Sequence, residues 1–199
     1  TAATAATTEA TAAAAALSVD PEASAAHAPF YEDGVGEAVA AGRSHGLLRL
    51  MELGHSAADA DDDGQPPLHV AARHGRAECA KILIANGAQV SARTRDGLQE
   101  TALHVAARCG HVAVALLLLQ HGGRLQERDA RGDSALHAAV AARQAAVLPA
   151  LLSSTLAASG LGRTGALHCR NAMGESALGL AARLGGRECA AALLAAKAH

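Results

Sequence analysis

The chain has 199 residues, half of them apolar, yet aromatics make up only 1%. That excludes an ordinary globular core built around large rings and points to thin layers packed through Ala, Leu and Val, each touching only the next. A formal net charge of −2 excludes a general binder of nucleic acid or anionic membrane, since both require a strong basic excess.

Residues 1–28 are mainly Ala and Thr, without an apolar stripe or capping residues. They read as a disordered tail or linker, or as an arm that orders against a partner. Phe30 and Tyr31 follow side by side and are expected to cap the exposed end of what comes next. From there the chain repeats. Glu37–Gly42 and Leu47–Gly54 form a first short pair of helical patterns, followed by a connection rich in Asp from Ala57 to Asp63. Pro67-Leu68-His69-Val70-Ala71-Ala72-Arg73-His74-Gly75 begins a second unit, and Thr101-Ala102-Leu103-His104-Val105-Ala106-Ala107-Arg108-Cys109-Gly110 a third. Ser134-Ala135-Leu136-His137-Ala138-Ala139 begins a fourth, and Ser176-Ala177-Leu178-Gly179-Leu180-Ala181-Ala182-Arg183 a fifth.

The third unit shows the logic of all five. The Thr101 hydroxyl can cap a first helix, and Gly110 can take the left-handed conformation that ends it. A second helix over the apolar run Val112–Leu119 then stops at Gly122-Gly123. Neither helix could bury its apolar face alone at this length, so the unit requires neighbours.

Three places break the period. The loop Thr94–Glu100 is two residues longer than its counterparts, with its glycine displaced, and predicts a longer or bulged finger. Arg143 stands where other units have glycine, and Pro149 falls in the second helix, predicting a kink or a late start. Ser153–Cys169 carries an excess of nine residues and reads as a flexible, exposed loop interrupting the stack. Cys79, Cys109, Cys169 and Cys189 form no CxxC pair and no metal-ligand spacing, so reduced, structural thiols are expected.

These units resemble the ankyrin repeat. The fullest copy is Gly64, Pro66-Pro67-Leu68-His69, Ala71-Ala72, Gly75, Ile82-Leu83-Ile84 and Gly87-Ala88. The resemblance implies an all-α helix–turn–helix repeat solenoid of about five units with extended finger loops, at approximately 29–60, 61–93, 94–128, 129–170 with its insertion, and 171–199. It also implies that His69, His104 and His137 bridge the loop backbone of adjacent units rather than hold metal; Gly179 breaks that ladder in the last unit.

No G-x-S-x-G, P-loop or H-E-x-x-H pattern is present, and Asp61-Asp62-Asp63-Gly64 lacks the alternating ligands of a calcium loop. A non-catalytic protein with no cofactor, no metal and no small-molecule substrate follows. The resemblance places the variable charges on a concave surface of finger loops and first helices. There Arg73, Arg108 and Arg183 recur near the ends of first helices, with Ala141 in the fourth, and Arg93, Arg128 and Arg170 precede the fingers. At or beside the tips lie Asp62, Asp63, Gln65, Asp96, Glu100, Arg131, Asp133, Met173 and Glu175, while His74, Cys109, Ala142 and Leu184 shape the floor.

The expected function is a protein–protein interaction module, an adaptor or scaffold, whose arginine forks take a partner's carboxylates bidentately. The expected location is cytoplasmic, with no membrane insertion, since no run approaches the ~18–20 apolar residues of a spanning helix. Alternatives are a structural subunit of a large cytoskeletal or axonemal assembly, a regulatory inhibitor resembling the NF-κB inhibitors, and the targeting part of a larger enzyme.

Overall fold

The computed structural model describes residues 34–58, 60, 64–158 and 162–198, with side chains of 154–164 and 197–199 left aside. The readings of the Ala/Thr tail, of Phe30 and Tyr31, and of Asp61, Asp62 and Asp63 lie outside these residues. The unit from Gly34 onward is helical. Its helices are α1 (Val35–Ala40), α2 (Ser44–Glu52), α3 (Pro67–His74), α4 (Ala77–Ala85), α5 (Ala102–Cys109) and α6 (Val112–Gln120). They continue with α7 (Ala135–Ala141), α8 (Val147–Ala158), α9 (Gly162–Leu167), α10 (Ala177–Arg183) and α11 (Arg187–Ala198).

Two layers of helices result. The first helices pack in the order α1, α3, α5, α7, α10, and the second helices in the order α2, α4, α6, α8, α11. Each helix therefore meets its partner and its layer neighbours, as in a quasi-one-dimensional stack. The inner layer is thin because its contact positions are small: Ala71, Ala72, Ala106, Ala107 and Ala139 are fully buried. Leu68, Leu103 and Leu136 fill the space beneath them, and Leu83, Leu118 and Leu151 fill the outer layer. Cys79 and Cys189 are buried free thiols whose pKa is pushed up by that burial. They act as small apolar side chains.

The turn between paired helices shows how neighbours lock. Gly75 and Gly110 have φ of 68° and 82°, conformations that favour glycine. A Cβ at Gly75 would lie 2.6 Å from His111 Nδ1, and one at Gly110 2.5 Å from Gln144 Oε1. In each case the side chain that follows the next pair's turn residue rests on the glycine. His111 Nε2 also bonds the Arg73 carbonyl at 3.0 Å.

The fourth pair inverts this arrangement. Arg143 takes the left-handed conformation itself, with φ 58°, and Gly186 occupies the position held by His111 and Gln144 in the earlier pairs. No side chain at that position stands over the Arg143 turn. Arg143 then donates from Nη2 to the Leu184 carbonyl at 3.2 Å, so the link between pairs survives.

Pro149 produces a late start. After the turn at Arg143, α8 begins only at Val147. Val147 and Leu148 donate to the carbonyls of Gln144 and Ala145 in a tight lead-in turn. Pro149 thus falls in the first turn, where its absent N–H has no helical partner to lose. The stretch Ser153–Cys169 departs from the expected loop. α8 continues to Ala158, and α9 packs between α8 and α11, burying Ala166 completely. Ala and Leu carry α8 through to Ala158, whereas α9 forms despite Gly162 and Gly165 because its packing overrides their low propensity.

Candidate functional site

The face formed by the finger loops and the inner helices is built on three buried histidines. His69 Nε2 meets the Glu100 carbonyl at 3.0 Å, and His137 Nε2 meets that of Glu175 at 3.0 Å. His104 Nε2 lies 3.1 Å from both the Glu127 and Asp133 carbonyls. Each ring thereby holds the next finger to its own helix. In the third and fourth pairs Nδ1 accepts from a hydroxyl, Thr101 Oγ1 or Ser134 Oγ, at 2.8 Å. The neutral ring with its proton on Nε2 satisfies both sides. Burial is the first cause holding His69 and His104 below the ordinary histidine pKa. In the second pair Pro66 replaces the hydroxyl residue, and His69 Nδ1 is buried without a partner. In the last pair Gly179 ends the ladder, and the Ser176 hydroxyl accepts from the Gly179 N–H at 3.2 Å.

The fingers are short turns closed by their own side chains. Asp129 Oδ1 accepts from the N–H groups of Arg131 and Asp133, each at 2.8 Å. Asn171 Oδ1 does the same for Met173 and Glu175 at 3.1 and 3.0 Å. The third finger spends its two extra residues on a bulge. Thr94 N–H still reaches the Glu100 carbonyl, as Asp129 reaches Asp133, but Gln99 is forced to φ 51°. Asp96 sits in this loop, where the Thr94 hydroxyl at 2.7 Å holds its carboxyl below the usual range.

The predicted arginines divide into three groups. Arg93 donates from Nη1 to the Gln99 carbonyl at 3.0 Å and to the Arg128 carbonyl at 2.7 Å, and Arg170 donates to that of Gly174 at 2.8 Å. These brace fingers. Arg108 and Arg183 extend along the face but turn inward. Arg108 Nη2 meets buried Glu100 at 2.8 Å, and Arg183 meets both Glu175 oxygens at 2.7 and 3.0 Å. The Arg183 guanidinium pulls the Glu175 carboxyl below its ordinary value. Forks expected to bind a partner's carboxylates are thus engaged within the protein. Arg73, His74, Arg128 and Arg131 remain exposed, Gln65 is half-buried, and Cys109 packs partly against the core.

The fourth pair lacks this charge pair. Asp133 stands at the position of Glu100 and Glu175, but Ala141 stands at that of Arg108 and Arg183. A cleft of about 540 Å³ opens there, walled by Ala141, Met173, Leu180 and Leu184. Leu180 was not among the expected site residues, because one face of α10 has to be seen beside the fourth finger before it becomes a wall. The turn-closing Asp129 and Asn171 were also missed. Their shared place directly after Arg128 and Arg170 was the available signal.

Among the described residues, no three His, Cys, Asp or Glu side chains gather where a metal could sit, and no helix is long and apolar enough to cross a membrane. Five stacked helix pairs, buried bridging histidines and projecting turns define a helical repeat solenoid. The family model "Ankyrin repeats (3 copies)" matches residues 36–129 and 90–165, and the chain belongs to the ankyrin repeat family. The last pair, α10 and α11, lies beyond both matches. A 34-residue stretch is 59% identical to the E3 ubiquitin-protein ligase XB3 of Oryza sativa subsp. japonica, covering 17% of this chain and 8% of that one. A 56-residue stretch is 32% identical to the Ankyrin repeat-containing protein P1E11.10 of Schizosaccharomyces pombe, covering 28% and 27%. The matched stretches therefore span well under two thirds of either relative. Ankyrin repeats are in general protein–protein interaction modules.

Proposed function

We propose that this chain is a non-catalytic adaptor or scaffold that binds a partner protein through its finger and inner-helix face. One observation carries the reading. The buried scaffold largely recurs beneath this face, while side chains in matching register upon it change from pair to pair: Asp96, Arg131 and Met173, the last at 74% exposure, before the tip glycines, and His74, Cys109, Ala142 and Leu184 at the ends of the first helices. Exposed side chains that differ along the stack suit recognition of one particular surface. The cytoplasmic location belongs to the same proposal and is tested by imaging the tagged chain.

Arg108 and Arg183 are unsuitable for a surface test, because charge reversal would leave Glu100 or Glu175 facing another carboxylate. The suitable variant combines Arg73→Glu, His74→Glu and Arg131→Glu. Affinity purification of the tagged chain from native extract, with mass spectrometry, is expected to yield a stoichiometric partner that the variant loses at unchanged circular dichroism. Partners retained equally by the variant would overturn the assignment of the face. A second reading, a stack that targets an attached catalytic domain, rests on the short match to a chain named as a ubiquitin ligase. The complete coding sequence tests it.

A further inference from the structure

We propose that the cleft between the fourth and fifth helix pairs receives an arginine side chain from the partner protein, which takes the place left by Ala141. The inference rests on the finger face being the binding face and names the chemistry of its occupant.

The cleft is a missing piece in a repeated pattern. On either side of it a carboxylate just before the helix cap meets an arginine from the end of the same helix: Glu100 with Arg108, and Glu175 with Arg183. Between them Asp133 keeps the carboxylate, but Ala141 supplies no cation, and Asp133 Oδ1 is sealed from solvent without a hydrogen-bond donor. An acceptor buried in this way is satisfied by any donor that reaches it. The torsion that turns a carboxylate has a broad minimum, and arginine binding requires the rotation that brings Oδ1 to the cleft wall.

The walls select the length and character of the donor. Ala141, Leu180, Leu184 and Met173 are apolar and suit the methylene stem of a long side chain, while the charged end requires the carboxylate. Two cations also face the cleft. Arg183 is engaged by both oxygens of Glu175, which leaves its charge largely neutralised. Arg131 lies at the finger tip and is exposed. A planar guanidinium forms two parallel bonds to one carboxylate, whereas a compact ammonium does not. An arginine is therefore favoured over a lysine.

The test uses the chain of residues 1–199 and a displayed library of random twelve-residue peptides, with binding measured for synthetic copies of the enriched sequences. Enriched peptides are expected to share an arginine whose replacement by alanine weakens binding at least tenfold. Ala141→Arg, which supplies the missing side chain from within, is expected to weaken binding at least tenfold while raising the melting temperature. Asp133→Asn, nearly the same shape without the charge, is expected to weaken binding by a similar factor. Circular dichroism confirms that both variants fold.

Peptides that bind Ala141→Arg as well as the parent, that lack an arginine, or that fail to enrich at all would overturn the proposal. A third variant, Arg73→Glu with His74→Glu, separates the two levels of argument. Peptides insensitive to Ala141→Arg but lost with this variant keep the binding face and remove the cleft. Peptides insensitive to all the variants remove both.

Discussion

Pro66 stands where Thr101 and Ser134 supply a hydroxyl, and the cost falls on His69, whose Nδ1 is buried without a partner. Its backbone at φ −61° and ψ 143° is equally open to threonine. Pro66→Thr restores an N-cap and a bond to the ring, together worth more than the about 0.4–1 kcal/mol lost with proline's rigidity. We expect a net gain of about 1 kcal/mol, read from urea denaturation; an unchanged or lowered midpoint would show that the histidine has another way to satisfy Nδ1. Gly75→Ala tests the opposite feature. It combines a positive φ with a Cβ 2.6 Å from His111 Nδ1, and a loss of about 1–3 kcal/mol is expected in the same assay.

The ladder also has a pH signature. Burial lowers the pKa of His69 and His104 in the folded chain, while the unfolded rings protonate at about pH 6.5. Above that pH neither state binds a proton, and the contribution of the neutral rings is fully present. As pH falls below it the unfolded state gains protons first, so stability declines until the folded pKa values are passed. The melting temperature is expected to drop between pH 7.5 and 5, and the drop is expected to shrink in His104→Gln. An equal drop in the variant would assign the effect to other groups.

Among elements, α8 holds the clearest contradiction between local chemistry and position. A proline within a nine- to twelve-residue helix ordinarily costs about 3 kcal/mol, yet here the helix start moves to Val147 and accommodates it. Pro149→Ala is accordingly expected to change stability by less than about 1 kcal/mol in thermal denaturation. A gain near 3 would mean that the helix starts earlier when released. The third finger is the other case. Its length excess was legible in the count between Arg93 and Thr101, and so was a bulge, but the residue bearing the positive φ was not. The glycine in the loop, Gly97, also has a positive φ of 81°, yet Gln99 is strained as well because Thr94 and Glu100 must close the turn.

At the scale of the whole molecule, stability is the sum of pairs and the interfaces between them. The central pair, α5 and α6, has neighbours on both sides, so Leu118→Ala removes a side chain that is fully buried between layers. A loss of about 2–5 kcal/mol is expected. Hydrogen exchange is expected to show α5 and α6 as the slowest segments in the parent and to show both halves loosened in the variant. Uniform protection along the stack would instead indicate a single cooperative unit.

By itself the sequence determined the all-α repeat, the pairing of helices, the left-handed glycines and the buried histidines. These arise from local rules: a cap, a period, a stop, and an apolar face too small to stand alone. Two departures from the pattern were equally visible as residues, Arg143 and Ala141, but their meaning was not. Only the tertiary structure showed that Arg143 reaches the Leu184 carbonyl of the next pair, and that Arg108 and Arg183 turn back onto Glu100 and Glu175 instead of reaching outward. The same holds for the cleft at Ala141, which exists because one pair's missing arginine lies beside the next pair's leucines. Periodicity places a residue on a face. What that residue touches depends on the neighbouring repeat, whose contribution lies 30 to 40 residues away in the chain and adjacent in space.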